Sequence, residues 1–353
     1  MNGHRRFQHL ASVIVAVALI APVTARAQQP GKLPDIALYQ GPDREKRLVE
    51  GAKKEGELMF YTSIPVEDVA VLTQAFDKKY GVKVKTWRAD SEGITQRVIA
   101  ETKARRYEVD VMAASSSGIE PLYRERLLHE VKSPYLADLI PQAIAPHREW
   151  ASVYLNTIVQ AYNPTRVDKA KLPTTYRDLL RPEFKSKLGI EAEDYDWFAQ
   201  VVMGLGEAQG LKLFRDIVAT NGLSVRKGHT LLANLVAAGE VPLALTVYGF
   251  SAEQLRQKGA SFDWFIIPPL IARPTAEAVS RNALHPYAAV LFYDFLISDA
   301  QQILASRNFV SPSRKIDSPF TKGPLELIDT AQMIDNAQKW QDLYNKTIIA
   351  PSR

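Results

Sequence analysis

The chain reads as an α/β protein made of two successive strand–helix series. Three observations predict this. Apolar runs of strand length alternate with amphipathic helical stretches through both halves of the sequence. The 353 residues suffice for about two domains. The composition is that of an ordinary globular protein, with 46% hydrophobic and 24% charged residues. Alternation of strand, helix and strand implies parallel sheets joined by right-handed crossovers.

The first 27 residues stand apart from this pattern. Arg5 and Arg6 form a basic start, residues 10–21 form a short apolar run, and Ala25-Arg26-Ala27 fits a small-x-small cleavage site. We expect a signal peptide over 1–27, cleaved after Ala27. The apolar run is short for a membrane span. His4-Arg5-Arg6-Phe7-Gln8 matches the twin-arginine pattern poorly, so the general secretory route is the expectation. Cysteine is absent. That excludes a lipid anchor on cysteine, disulfides, thiolate metal sites and thiol nucleophiles. The formal charge of +5 partly belongs to the leader. Without its three arginines the chain has 41 basic against 39 acidic residues, a net +2. Lys53-Lys54 and Arg105-Arg106 then read as solvated helix faces, and no nucleic-acid stripe is expected.

The first series follows. A helix is expected over 44–54, a strand over 58–63, and a helix opening at Pro65 with Glu67 and Asp68 in its first turn, where acids favour the helix dipole. Val66, Val69, Leu72 and Phe76 make its apolar face, and Gly81 ends it. Then come a strand over 82–87, a helix over 91–105 and a short strand over 109–113. The loop Ser115-Ser116-Ser117-Gly118 leads into another helix. The second series begins near residue 151, with an extended stretch over 153–163. Strands are expected over 188–191, 223–226, 243–247 and 262–267. Helices are expected over 197–205, over 230–238 capped by Gly239, and from a Ser251/Gln254 capping box to Gly259. Further helices open at Pro286, with Ala289, Phe292, Tyr293 and Leu296 inward, and at Ser298. No internal repeat is evident. Ligands of open parallel sheets sit beyond the carboxyl ends of the strands, so two such sheets facing one another would make a hinged clamp.

Four stretches in this order carry a family resemblance. They are Glu57 to Ser63 with Tyr80 to Val84, Tyr107 to Val111, Gly239-Glu240 leading to Leu243 to Tyr248, and His285 to Ala289 through Phe295 to Gln301. With them the chain resembles the bacterial extracellular solute-binding proteins of family 1, in the branch that includes ferric-iron receptors of ABC importers. The resemblance implies a type II periplasmic-binding-protein fold: two lobes, each a mainly parallel sheet flanked by helices, joined by hinge strands. The expected division is lobe 1 over 28–155, lobe 2 over 156–265, a return to lobe 1 over 266–312, and C-terminal helices packing back over 313–353. It also implies a monomeric periplasmic receptor, without a stable membrane anchor, that delivers a small-molecule solute to the permease's membrane subunits. No cofactor is expected.

Ferric receptors of the branch place adjacent tyrosines after the strand matching 243–247. Here the stretch is Tyr248-Gly249-Phe250, with one phenol. Their first-loop histidine and third-strand carboxylate correspond to Pro65 and Ser115. Their anion-holding loop of small residues corresponds to Glu193-Asp194-Tyr195-Asp196-Trp197. A direct copy of that iron site is therefore not expected. The alternative is a non-standard iron set drawn from Tyr248, Glu193 and His229.

The candidate ligand-binding residues are Thr62, Ser63, Ser115, Ser116, Glu193, Asp194, Asp196, Trp197, His229 and Tyr248. Thr62 and Ser63 end a strand beside a helix start, where hydroxyls and free N–H groups suit a polar oxygen; the other reading is a capping turn. Ser115 and Ser116 offer small donors, or line a solvated loop. Glu193, Asp194 and Asp196 suit amines or hard cations, or form a surface turn capping a helix. Trp197 could stack on an organic cation or sit in the core. His229 could bond a ligand or metal, or be structural. Tyr248 could serve as a phenolate to Fe(III) or as a neutral hydrogen-bonding phenol. An enzyme on the same fold is the rival class. However, G-x-S-x-G, H-E-x-x-H, P-loop and dinucleotide motifs are absent. The four histidines beyond the leader, His129, His147, His229 and His285, are widely dispersed.

Overall fold

Helices α1 (Leu33–Ala37) and α2 (Arg44–Glu55) open the computed structural model, which describes residues 32–318, 320 and 323–352. The expected leader lies outside them. The first series then runs β1 (Glu57–Thr62), α3 (Val66–Tyr80), β2 (Lys83–Arg88), α4 (Ser91–Lys103), β3 (Val111–Ser115), α5 (Ser116–Arg124) and β4 (Leu128–His129). Gly81 ends α3 at φ 69°, the left-handed cap its sequence position predicts. The serine run is not a loop: Ser115 is the N-cap of α5, and Ser116 to Gly118 are its first turn.

The second series begins with the twelve-residue strand β5 (Ala151–Tyr162), followed by β6 (Leu188–Glu191), α6 (Tyr195–Gly204), α7 (Glu207–Asn221), β7 (Ser224–Arg226), α8 (His229–Ala238) and β8 (Leu243–Tyr248). Then come α9 (Gly249–Gln257), β9 (Asp263–Phe265), β10 (Leu270–Ser280), α10 (Pro286–Leu296), α11 (Asp299–Ser306), β11 (Leu325–Leu327), α12 (Thr330–Asp335) and α13 (Ala337–Tyr344). The expected Ser251 capping box does not form. Helix α9 begins three residues earlier, with Tyr248 as N-cap and no side-chain cap. A Cβ at Gly249 would lie 2.3 Å from Thr157 Oγ1, so glycine lets this helix start hard against β5.

The strands hydrogen-bond in the order β2-β1-β3-β10-β5-β8-β6-β7. β1 pairs parallel with β2 and β3, and β6 with β7 and β8, whereas β5 runs antiparallel to β8 and β9. The central pair, β10 and β5, is antiparallel and joins the two halves. The sequence pattern did not anticipate β10, and it crosses from one lobe to the other. Its residues 270–272 pair with β11, and its residues 275–279 pair with β3. Pro274, which has no N–H to donate, falls where the strand changes neighbour. Arg273 precedes it, opposite Asn156 of β5.

Each lobe has apolar clusters of its own. Phe60, Phe76, Phe292 and Phe295 anchor the first, with Phe60–Phe292 and Phe76–Phe292 edge to face at 5.0 and 4.9 Å. Ala289, Phe292, Tyr293 and Leu296 are all buried, as their spacing predicts. In the second lobe Trp197, Phe198 and Phe214 pack with Trp340 and Tyr344 of α13. The segment before α13 touches the first lobe, where Ser116 and Thr330 share a 2.6 Å hydrogen bond and Arg124 Nη1 lies 2.6 Å from Asp335. The C-terminal helices therefore bridge both halves. Among the described residues, no helix is long and apolar enough to cross a membrane.

Candidate functional site

A cavity of about 850 Å³ opens beside the crossing of β5 and β10. That is ample for a small solute. Both lobes line it from the carboxyl ends of their strands. The first lobe contributes Ser91, Glu92, Thr95 and Gln96 from α4, and Ser115, Ser117 and Gly118 around the start of α5. The second contributes Glu191 at the end of β6, Glu193 to Asp196 leading into α6, Lys227 to His229 leading into α8, and Tyr248 at the end of β8. Arg273 comes from the hinge strand. Four helix first turns and the N-cap of α9 thus face one space, which concentrates partial positive charge and backbone donors there.

The second-lobe wall is built around Arg273. Its guanidinium donates to Asp196 Oδ2 at 2.6 Å, to Asp194 Oδ1 at 2.5 Å and to the Tyr248 hydroxyl at 3.2 Å. His229 Nε2 lies 3.3 Å from Asp194 Oδ1, and its ring lies against Tyr248, with centroids 3.8 Å apart and planes tilted by 34°. The Asp194 side chain is 1% exposed and that of Arg273 15%. Burial disfavours the Asp194 charge. The adjacent His229 and Arg273 charges outweigh that penalty and hold its carboxyl well below the usual carboxylate range. Burial also disfavours the charged form of Arg273, but Asp196 and Asp194 keep the guanidinium firmly protonated. Burial raises the Tyr248 phenol above its ordinary value, although Arg273 opposes this.

Glu191 is buried and held by backbone donors. Its Oε1 accepts from Gly228 N–H at 2.8 Å and its Oε2 from Glu193 N–H at 2.5 Å. Gly228 has φ 104°, a conformation that favours glycine, and it presents that N–H just before α8. At the rim, exposed Glu193 pairs with exposed Lys227 at 2.8 Å. One potential ligand atom each from Glu191, Asp194 and His229 lies within 4.8 Å of the others.

The structure brings Ser115, Glu193, Asp194, Asp196, His229 and Tyr248 to this one cavity. Four expected residues lie elsewhere. Thr62 is fully buried, its hydroxyl accepting from Ile64 N–H at 3.1 Å in a local turn ahead of α3, whose N-cap is Pro65. Ser63 beside it is not among the lining residues. Ser116 turns away, to Thr330. Trp197 does not face a ligand: it is 0% exposed and packs edge to face against Tyr176 and Phe214 at 5.8 and 6.0 Å. The acidic turn is also not a free cation trap, because Arg273 neutralises part of it. Arg273 and Glu191 were missed from sequence. Glu191 had a usable signal: like Tyr248, it ends an apolar strand.

A polar cleft at the strand ends of two lobes joined by two crossing strands defines a two-lobed solute-binding protein. Residues 112–338 match the sequence model of the bacterial extracellular solute-binding protein family, and the chain belongs to that family. The Fe(3+)-binding periplasmic protein of Serratia marcescens is 24% identical over 195 residues, 54% of this chain and 57% of that protein. The match thus spans little more than half the relative's length. Among solved structures, iron-bound HitA from Pseudomonas aeruginosa has a TM-score of 0.70 at 20% identity, covering 81% of this chain and 99% of HitA. AfuA from Actinobacillus pleuropneumoniae, solved with exogenous fructose-6-phosphate bound, has a TM-score of 0.68 at 20% identity, covering 84% and 99%. These likenesses establish the type II periplasmic-binding-protein fold.

Proposed function

We propose that this chain is the periplasmic solute receptor of an ABC-type importer. It captures a small polar solute between its lobes and delivers it to the permease's membrane subunits. The observation that carries this reading is the cavity itself: about 850 Å³, lined from both lobes, at the crossing of the two strands that join them. Closure of two lobes about such strands is a familiar hinge motion, and a ligand touching both walls favours the closed population. The lobe divisions at residues 155, 265 and 312 and the cleavage after Ala27 belong to the same proposal. So does the role of solute carrier rather than enzyme, which its membership of a solute-binding family supports.

The test is to purify the protein from its own periplasm, identify any retained small molecule by native mass spectrometry, and strip and restore it. Restoration should reduce the radius of gyration in small-angle scattering. A protein that retains nothing, and whose scattering is unchanged by the small-molecule fraction of the periplasm, would sink the proposal.

A ferric cargo is a second reading, favoured by the iron-binding relative and by the Glu191, Asp194 and His229 grouping. The expected set of Tyr248, Glu193 and His229 does not support it in that form. Glu193 is paired with Lys227 at the rim, and the raised Tyr248 phenol accepts a hydrogen bond from Arg273. If iron is the cargo, ferric citrate should bind in a calorimetric titration, with an affinity that Asp194→Asn and His229→Phe both reduce.

A further inference from the structure

We propose that the solute carries a primary ammonium group, seated among Glu191, Asp194 and His229. The inference rests on the reading of the cleft as the solute site and names the chemical class that site selects. Three features of the second-lobe wall carry it.

The first is an excess of acceptors. Asp194 Oδ2 is buried, has no hydrogen-bond partner and belongs to a side chain only 1% exposed. His229 Nδ1 is likewise buried without a partner. Nε2 of the same ring is the atom turned to Asp194, 3.3 Å from its Oδ1. Each Glu191 oxygen accepts one backbone N–H and keeps a further lone pair. The nearest strong donor, Arg273, already gives its hydrogens to Asp194, Asp196 and Tyr248. What the nest lacks is a donor.

The second feature is spacing. Three acceptors at about 2.8 Å from one tetrahedral nitrogen lie about 4.6 Å apart. One nitrogen or oxygen atom each from Glu191, Asp194 and His229 lies within 4.8 Å of the others. The third is charge. Glu191, Asp194 and Asp196 carry three formal negative charges against the charges of Arg273 and His229, while Glu193 and Lys227 cancel at the rim. A singly charged ammonium suits this balance. It needs only one lone pair from each acceptor, which is what the backbone and guanidinium contacts leave free. A multiply charged metal ion would instead sit beside the Arg273 guanidinium on the same carboxylate. The rest of the solute would lie toward Ser115 and Ser117 on the opposite wall.

The test uses the full chain, stripped of retained solute and titrated calorimetrically with matched probes: putrescine against 1,4-butanediol, ethanolamine against ethylene glycol, and glycine against glycolate. At least one amine should bind about tenfold or more tightly than its hydroxyl counterpart. Asp194→Asn should erase about tenfold of that preference. His229→Phe keeps a ring against Tyr248 and should cost several-fold, which guards against an Asp194 variant that fails to fold. Amines that bind no better than their counterparts would overturn the proposal, as would a preference that survives both substitutions. Zn2+ or ferric citrate binding that both substitutions abolish, without any amine preference, would assign the nest to a metal instead. A retained solute lacking an amine would overturn the ammonium and leave the receptor reading standing. No retained solute and no closure would remove both.

Discussion

Replacing Arg273 by methionine tests whether the second-lobe wall is held together by its guanidinium. The variant keeps a long side chain and loses the donors to Asp194, Asp196 and Tyr248. Asp194 then remains buried with only His229 beside it, 3.3 Å away. Removing one partner from a buried ion pair costs about 3–5 kcal/mol, because the other charge stays desolvated. At roughly 2 °C per kcal/mol for a chain of this size, Tm should fall by roughly 6–10 °C at pH 7. The sign of the pH dependence follows from Asp194. Its folded pKa lies below the unfolded value, so its contribution is present above about pH 4 and is lost as pH falls through the folded pKa. The deficit of Arg273→Met should therefore be largest near neutrality and narrow as the pH drops below about 4. The double variant Arg273→Met with Asp194→Asn should be less damaged than the two single losses added together, since no buried charge is then stranded. Scanning calorimetry from pH 3.5 to 8 measures all four proteins. A variant within 1 °C of the parent at pH 7, or a deficit that does not change with pH, would refute this account of the wall.

Substitutions at two further residues probe the core. Trp197→Ala should cost about 3–5 kcal/mol in urea unfolding, because a fully buried indole leaves a cavity among Tyr176, Phe198 and Phe214; Trp197→Phe should leave solute affinity unchanged, and a large affinity loss there would return the residue to the binding site. Glu277 is fully buried on β10 with neither carboxylate oxygen partnered, and burial raises its pKa well above the carboxylate range. The folded state then keeps a proton that the unfolded state releases above about pH 4, so stability falls by up to about 1.4 kcal/mol per pH unit on that rise. Glu277→Gln should remove this slope and gain more in Tm at pH 8 than at pH 5, and an equal gain at both would exclude the buried-proton explanation.

The parts of the fold that were legible are those in which one local rule sufficed. Strands β1, β3 and β8 are apolar runs bounded by polar turns, and α10 announces itself by Pro286 and an inward face of Ala289, Phe292 and Leu296. Helix α7 was not expected, and Gly206 and Gly210, residues of low helix propensity, stand at its start. Gly210 is in fact a packing device: a Cβ there would lie 2.7 Å from Val202 Cα, so glycine lets α7 close on α6. Strand β10 was hidden by Pro268-Pro269, Arg273, Pro274 and Glu277, residues that argue against a central strand. It is central nonetheless, because its two halves serve different lobes and Pro274 falls at the change of neighbour.

The same reason explains what was legible in the site. Asp194, Asp196, His229 and Tyr248 each occupy the end of a strand or the start of a helix, a place that sequence order can locate. Their partner lies 77 residues from Asp196 and 79 from Asp194, on a strand whose character depends on tertiary context. A physical clue was present. Two acids placed beside a buried indole need compensation, and an arginine standing between Leu270-Ile271-Ala272 and a proline would be unusual in a solvated loop. Joining those statements requires knowing that β10 passes the end of β6, which only the folded chain supplies. The acid turn alone suggested a site that attracts any cation. With Arg273 in place, the excess negative charge of the wall is left at Glu191 and Asp194, and the recognition we propose narrows to a donor of small size and single charge.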